Sequence, residues 1–583
     1  MNSRLPVFRA TALALGLAAV LASCRGHDDA TTLLQQNVVA ATGGTFSTSA
    51  QEVSVEIPAG ALSGDAVLTV NRVPDASLPA AAAAIATADF KSDAYSVTFT
   101  GPGGAAVTLD ATKPIKLVMR SSALPTHPTL GEIARVQGNG WQRLGSSFYR
   151  NSSQRAVGLV STASGTYRVA FRTLQRSSGA DVALGQAVFN DETFGNEAFF
   201  GGVLGLHTLL NGVSPVAAVG LGVQVDINKV PAGIVAVMTG ADLAAKDAAL
   251  ADPAITKALL QADAVIGVRA RFDGAGNMTS AGLTCALCHV NVTPTTFQLS
   301  AGPAALPIGQ PRFDGVPNAR MNSGAILALT PFVQGLPDAG ATAAVLNSWG
   351  AGNFDVRSLP DNAMEDNVVN PTNYPALWNF VDLEEQNYLF GWDGLFANSP
   401  GNTNALASQA EAVYDLVMHA NGAFGTGLGN LTPALNPNVP LGTLPTALTN
   451  AETNQPGNDI ATNKLLQVQT FMRSITSPAP GAYNETLAEQ GFMLFNGKGT
   501  CVSCHRTADF TGPGLVTAVT NPQGALAGGI KIPSLRGVSH TAPYLSNGSV
   551  GTLSGAVDAV LGALGITMTG DEKAALVEYL KSL

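Results

Sequence analysis

The chain has 583 residues, of which 46% are hydrophobic and only 12% charged, and its formal net charge is −10. This length predicts several domains, and the low charge with high apolar content argues against an intrinsically disordered protein. The acidic balance argues against a nucleic-acid-binding protein, which needs a basic face, and after residue 23 no apolar run is long enough to predict a membrane-spanning helix.

Residues 1–23 have the pattern of an export signal. Arg4 and Arg9 form a positive segment, and residues 10–21 form an apolar one. The residues Leu-Ala-Ser-Cys at 21–24 resemble the lipobox of bacterial lipoproteins. The resemblance implies cleavage before Cys24, acylation of its sulfur and amino group, and anchoring to a membrane surface without a spanning helix. The alternative is an ordinary signal peptide with an incidental cysteine.

The residues after the cysteine bear on where the protein resides. Arg25 follows Cys24, at the position where an Asp often marks inner-membrane retention. We therefore expect an outer-membrane lipoprotein, located in the periplasm or on the cell surface. Residues 24–40 are polar and predict a tether.

Residues 41–172 predict a β-sandwich. Val53, Val55 and Ile57 alternate with polar residues, and similar period-two runs recur between Gly and Pro turns up to residue 172. This pattern is typical of an antiparallel sandwich with one face of each sheet buried. The stretch 43–62 resembles the opening of ZU5-like β-sandwich domains, which implies a spacer or adhesion-type module.

From about residue 178 the sequence changes to Ala-rich helical stretches and long loops rich in Gly, Asn and Pro. Apolar residues recur at helical spacing in 247–264, 409–420 and 464–475. The last helix is predicted to begin at a capping box formed by Thr569 and Glu572.

The pattern C-x-x-C-H occurs twice, at 285–289 and 501–505. It is the signature of c-type haem attachment. Thiols at i and i+3 lie on one helical turn, at the spacing of the two vinyl groups along one side of a porphyrin, and the next imidazole reaches the iron. The sequence therefore predicts two covalently attached haem c groups. The predicted attachment residues are Cys285, Cys288, Cys501 and Cys504, and the predicted axial iron ligands are His289 and His505.

Other uses of these cysteines fit the spacing less well. Zinc sites built from two C-x-x-C pairs usually place about 15–20 residues between the pairs, far fewer than separate Cys288 from Cys501. A thioredoxin-like pair does not require a histidine after each motif, and disulfides between i and i+3 are uncommon as stabilising links. With Cys24 assigned to a lipid, the two motifs account for all five cysteines.

The C-terminal sequence carries a family resemblance. Glu-Gln-Gly at 489–491, Ile-Pro-Ser-Leu-Arg-Gly-Val at 532–538 and Thr-Ala-Pro-Tyr at 541–544 follow one another. This order resembles the C-terminal haem domain of bacterial dihaem cytochrome c peroxidases, and the methylamine dehydrogenase maturase and rubber oxygenases are similar. The resemblance is strong over 470–583 and weak over 180–420. It implies that the β-sandwich is followed by two mainly α-helical cytochrome c-like domains, at 178–470 and 471–583.

The sequence departs from the peroxidase pattern at the second haem. Val560 stands where the peroxidases place a Met ligand, and Ser546 stands where they place a His. His540 is the candidate distal ligand and would give a bis-His haem, Met568 is the alternative and would give a His/Met haem, and an open site is the third possibility.

The distal side of the first haem is left open by the sequence. Its possible ligands are His207, His419, Met321 and Met418, and possible distal polar groups are Glu384, Glu385 and Gln409. No catalytic residue is assigned from the sequence.

Three functions are compatible with these sequence features. We expect an exported, lipid-anchored dihaem c-type cytochrome that acts in electron transfer with unidentified redox partner proteins. The alternative is a peroxidase-like or oxygen-activating dihaem enzyme that uses the first haem. A surface-binding protein whose β-sandwich docks a partner is the third hypothesis.

Overall fold

The computed structural model describes residues 31–79, 85, 89–193, 197–354, 371–386, 388–390, 392, 396–397, 465–506, 509–516 and 529–583. The chain divides into two compact units, Met1–Arg172 and Thr173–Leu583. Each unit is described separately below.

The first unit is built from strands. They are β1 Thr31–Val38, β2 Gly44–Ser47, β3 Val53–Ile57, β4 Ala66–Val73, β5 Ala94–Thr100, β6 Ile115–Arg120, β7 Gly131–Gln137, β8 Gly140–Arg143, β9 Ser147–Arg150, β10 Arg155–Val160 and β11 Ser164–Phe171.

These strands form two antiparallel sheets, in the orders β1-β4-β5-β11-β7-β8 and β2-β3-β6-β10-β9. Val55 and Leu117 of the smaller sheet and Leu68 and Val169 of the larger one are at most 1% exposed and belong to one hydrophobic cluster. Burial of alternate apolar side chains from both sheets holds this unit together.

The second unit contains most of the helices. They are α1 Ala180–Asp191, α2 Leu206–Gly212, α3 Pro215–Gly220, α4 Ala232–Thr239, α5 Leu243–Ala251, α6 Pro253–Gln261, α7 Ala286–His289, α8 Ser323–Ala328, α9 Pro331–Gln334, α10 Ala339–Ser348, α11 Phe380–Glu385, α12 Leu465–Met472, α13 Glu485–Asn496, α14 Leu553–Ala563 and α15 Gly570–Lys581.

Further strands, most of them short, lie between these helices. They are β12 Val225–Asp226, β13 Val268–Phe272, β14 Met278–Leu283, β15 Asn291–Leu299, β16 Gly302–Arg312, β17 Asn353–Phe354, β18 Thr372–Asn373, β19 Leu389–Phe390, β20 Phe396–Ala397, β21 Leu515–Val516 and β22 Ile530–Lys531.

Polar side chains fix where several helices begin. Asn484 accepts a hydrogen bond from the amide of Leu487 at the start of α13. At the start of α15, Thr569 and Glu572 form both hydrogen bonds of a capping box. These bonds satisfy amide groups that have no partner within the helix.

A glycine allows α1 to cross α12 at close range. A Cβ atom added at Gly185 would lie 1.9 Å from the carbonyl oxygen of Gln467. Beside this crossing, the rings of Phe189 and Phe471 pack edge to face with centroids 5.1 Å apart. The absence of a side chain at Gly185 therefore sets the distance between these helices.

The same arrangement recurs where α13 crosses α15. A Cβ atom at Gly491 would lie 2.1 Å from the carbonyl oxygen of Ala575. The Tyr579 ring packs against Phe492 at 5.7 Å and against Phe495 at 5.2 Å. Both glycine-mediated crossings lie in the second unit, which also contains both C-x-x-C-H motifs.

The predicted fold class is wrong. The N-terminal region is β-rich, but the rest of the chain is one compact unit and not two mainly α-helical cytochrome c-like domains. The long hairpin β15–β16 directly follows the first motif. Prolines normally argue against a strand, so the sequence pattern did not predict this hairpin. Pro294 lies where the register shifts. The predicted domain boundaries stay a prediction.

Replacing Gly491 tests the second helix crossing. We expect Gly491→Ala to lower the free energy of unfolding by about 1–3 kcal/mol, because the new methyl group overpacks the contact with Ala575. The measurement is urea denaturation of the full chain followed by circular dichroism.

The matched control is Gly562→Ala, since Gly562 lies in α14 with no atom within 4 Å of an added Cβ. This change should stabilise the protein by up to about 1 kcal/mol, because alanine favours helix more than glycine. Equal effects of the two substitutions would contradict the role assigned to the crossing.

Candidate functional site

The first motif lies on a single helical turn that follows strand β14. Cys285 has helical backbone angles and directly precedes α7, so Cys288 and His289 follow it on the same turn. The Thr284 hydroxyl donates to the carbonyl of Asn190 at 3.0 Å and fixes the start of the turn. Gly267 lies so close to the turn that a Cβ there would be 2.2 Å from the amide nitrogen of Leu287.

The two thiols of this turn face different hydrophobic clusters. Cys285 packs with a cluster that includes Phe189 and Trp378, whereas Cys288 packs with one that includes Met321 and Tyr374. Neither cysteine forms a disulfide. Burial raises the pKa of Cys285 to about 12 and that of Cys288 to about 11.

His289 is held by packing without a hydrogen bond. Its ring lies edge to face with Tyr374, with centroids 6.2 Å apart. Its buried Nδ1 atom has no hydrogen-bond partner among the described residues. Burial lowers the pKa of His289 to about 4, so the imidazole is neutral at neutral pH, which is the form that ligates metals. The Nδ1 atom of His289 therefore lacks the hydrogen bond that usually orients a metal-binding imidazole.

The second motif begins in a short 3₁₀ turn, Cys501–Ser503. The amide of His505 donates to the carbonyl of Cys501 at 2.9 Å and brings the imidazole onto the same turn as the two cysteines. Both cysteines are free. Burial raises the pKa of Cys501 to about 11. This turn therefore presents the same set of groups as the first.

His505 differs from His289 because its ring is hydrogen-bonded. Its Nδ1 atom lies 2.9 Å from the carbonyl oxygen of Phe510. A carbonyl can only accept, so this nitrogen carries the proton and Nε2 keeps its lone pair. Burial lowers the pKa of His505, although the carbonyls of Phe510 and Pro533 act in the opposite direction.

These observations test whether the two motifs fit covalently bound haem. Each turn supplies two free thiols at i and i+3, followed by a neutral imidazole with an available nitrogen. That donor set fits a haem c group with one axial histidine. Among the described residues, no three His, Cys, Asp or Glu side chains come together as a metal site.

The two distal candidates for the second haem occupy different places. His540 lies in the turn Val538–His540, and its Nε2 atom is 3.2 Å from the carbonyl oxygen of Ala479. Met568 is buried beside the second motif: a Cβ atom at Gly499 would lie 3.1 Å from its Cε atom and 3.2 Å from the Cys501 sulfur. Both assignments stay predictions.

Of the candidates for the first haem, Met321 is fully buried in the cluster that contains Cys288. His207 lies in α2, and its buried Nδ1 atom has no partner among the described residues. Glu384 pairs with Arg473 at 3.2 Å. Residues 409, 418 and 419, and the predicted lipidation site Cys24, lie outside the described residues.

A buried charge cluster beside the second motif was missed in the sequence. Asp509 and Arg536 are at most 1% exposed, and their Oδ1 and Nε atoms are 3.2 Å apart. Gln386 donates to the other carboxylate oxygen of Asp509 at 2.7 Å, and the Trp378 indole donates to the carbonyl of Arg536 at 3.1 Å. The sequence feature that could have indicated this cluster is Arg536, which lies within the mostly apolar stretch 530–538.

Lys531 belongs to the same charge cluster. Burial lowers its pKa to about 8, and the negative charge of Asp509 raises it. The charge of Lys531 in turn lowers the pKa of His505. We call the buried pair Asp509 and Arg536, together with the half-buried Lys531, the buried charge cluster.

The chain was compared with known proteins. No protein-family model matches it, and no curated protein matches it. Among solved structures it is similar to one titled "Crystal structure of a MauG-like protein associated with microbial copper homeostasis", with 22% identity and a TM-score of 0.19. The match covers 24% of this chain and 62% of that chain.

Removing Asp509 tests the buried charge cluster. We expect Asp509→Ala to lower the free energy of unfolding by about 3–5 kcal/mol, because it leaves Arg536 buried without its carboxylate. The double substitution Asp509→Ala with Arg536→Leu should cost less than the sum of the single changes.

The control for this test is Asp558→Ala, which breaks an exposed ion pair with Lys573 that is 2.7 Å long. Its expected cost is within about 1 kcal/mol. Denaturation curves that shift equally for Asp509→Ala and Asp558→Ala would show that the buried pair is not stabilising.

Proposed function

We propose that this protein is an exported, lipid-anchored dihaem c-type cytochrome that acts in electron transfer. The observation that supports the proposal is the repeated C-x-x-C-H turn. In both copies two free cysteines and a neutral imidazole lie on one turn. Nothing else in the described residues presents this combination twice.

A haem c group supplies reversible one-electron chemistry at its iron. In this chain, Cys285, Cys288, Cys501 and Cys504 would hold the two groups, and His289 and His505 would bind the irons. Apolar clusters against the first turn would exclude water from that site. The hydrogen bond from His505 to Phe510 fixes the tautomer and orientation of the second imidazole.

A continuous series of contacts leads from the first motif towards the second. The His289 ring packs on Tyr374, and the carbonyl of the neighbouring Asn373 accepts from the Trp392 indole at 2.7 Å. The carbonyl of Trp392 in turn accepts from the amide of Lys531 at 2.8 Å. The charge of Lys531 lowers the pKa of His505, so the series ends in the part of the chain that surrounds the second motif, which supports electron exchange between the two motifs.

The location of the protein follows from its N-terminal sequence. The signal segment and the lipobox-like residues at 21–24 support export and attachment of acyl chains to Cys24. None of the helices that the structure describes is long and apolar enough to cross a membrane.

Removing one attachment thiol tests haem binding. We expect Cys288→Ala to halve the pyridine haemochrome absorbance per chain, because covalent attachment at the first motif is lost. Cys504→Ala should have the same effect at the second motif. A value unchanged from the unsubstituted protein in either variant would refute attachment at that motif.

Electron paramagnetic resonance with a peroxide challenge tests the activity. Two low-spin ferric haems without peroxide turnover are expected for electron transfer. A high-spin ferric signal together with peroxide turnover would overturn this proposal in favour of the peroxidase-like alternative.

Changing the lipidation residue tests the anchor. We expect Cys24→Ala to move the protein from the membrane fraction to the soluble fraction after cell breakage, because acyl chains supply the binding energy for the membrane surface. Cys288→Ala serves as the control, since it also removes a cysteine but should leave the protein in the membrane fraction. Equal membrane retention of both variants would contradict lipidation.

A further inference from the structure

The buried charge cluster holds more positive than negative charge. Both carboxylate oxygens of Asp509 have partners, since Oδ1 pairs with Arg536 and Oδ2 accepts from Gln386. Lys531, the second cation, has no carboxylate within 4.0 Å of its Nζ atom among the residues that the structure describes. Among the described residues, the one carboxylate of Asp509 therefore offsets the charges of the buried Arg536 and the half-buried Lys531, and a charge left uncompensated at low exposure is costly.

The backbone places Lys531 next to the second motif. Its strand β22 pairs with β21, and Leu515 is its partner in the register. The carbonyl of the following residue, Ile532, accepts from the Thr511 hydroxyl at 2.5 Å. A Cβ atom at Gly512 would lie 2.7 Å from both the Cys504 carbonyl oxygen and the Ile532 side chain. The chain that carries Lys531 is thus packed on the turn that carries Cys504.

An anion that arrives at this place would balance the charge. A haem group carries two propionate side chains, and these carboxylates come with the group wherever the porphyrin is bound. A charge-assisted hydrogen bond from an ammonium group to a carboxylate is among the stronger polar contacts in proteins. A haem attached to the second motif would therefore supply the negative charge that balances Lys531.

We infer that Lys531 binds a propionate of the haem held by Cys501, Cys504 and His505. This inference rests on the proposed function, because it requires a haem at the second motif. Arg536 is not assigned this role, since Asp509 already neutralises it. Lys531 is thus a positioning residue for the second haem and raises the reduction potential of that haem through its positive charge.

The test compares three variants of the matured full chain. Lys531→Gln removes the charge and keeps most of the side-chain length, and Lys531→Arg keeps the charge. Lys498→Gln is the control, because Lys498 lies just before the second motif but is paired with Glu572 at the surface at 2.7 Å. The readouts are haem content, the two midpoint potentials, and the propionate bands in resonance Raman spectra.

We expect Lys531→Gln to keep both haems, because the thioethers hold them. It should shift the ferric-to-ferrous ratio of one haem about tenfold towards ferric, which corresponds to a midpoint potential lower by about 59 mV. The propionate bands should shift as well. Lys531→Arg should restore the potential, and Lys498→Gln should match the unsubstituted protein.

A separate variant assigns the potential to one of the haems. The double substitution Cys285→Ala with Cys288→Ala removes the first haem, so the remaining midpoint belongs to the second. If Lys531→Gln changes neither this midpoint nor the propionate bands, the inference is wrong while the dihaem proposal stands. If the unsubstituted protein carries no haem, the proposed function itself fails.

Discussion

The buried ion pair between Asp509 and Arg536 connects segments of the second unit that are far apart in sequence. Through Gln386 and Trp378 it joins the chain that follows the first motif to the chain around the second. A pair with almost no exposure stabilises only if every remaining lone pair and N–H group has a partner. Both carboxylate oxygens of Asp509 have a partner, and one of these partners, Gln386, lies far from the second motif in the sequence. The surroundings of the second motif therefore depend on distant residues.

The grouping of each C-x-x-C-H motif on one turn could be predicted from the sequence because the spacing of its residues is local. Cys285, Cys288 and His289 lie within one helical turn, so their spacing in the sequence fixes their relative positions. The buried charge cluster could not be predicted, because Gln386 and Asp509 are 123 residues apart and no spacing rule connects them. The hairpin β15–β16 could not be predicted for another reason. Its prolines argue against strands, and only the structure shows that Pro294 lies where the register shifts.

The two histidines are supported in different ways, although their motifs have the same pattern. His505 donates from its ring to a backbone carbonyl, whereas His289 relies on packing against Tyr374 and leaves its Nδ1 atom without a partner among the described residues. Hydrogen bonding to a ligand imidazole increases its basicity and fixes its orientation. Identical motifs therefore do not imply identical surroundings for their imidazoles, and the neighbouring residues distinguish them.

The two glycine-mediated crossings differ in how much of the chain each one closes. The crossing of α13 with α15 joins residues 491 and 575, whereas that of α1 with α12 joins residues 185 and 467. Contacts between distant residues form more slowly because the intervening loop must first be closed. The crossing of α1 with α12 therefore closes a longer segment of chain, which includes Cys285 and Cys288, and the entropic cost of closing that segment is larger than for the crossing of α13 with α15.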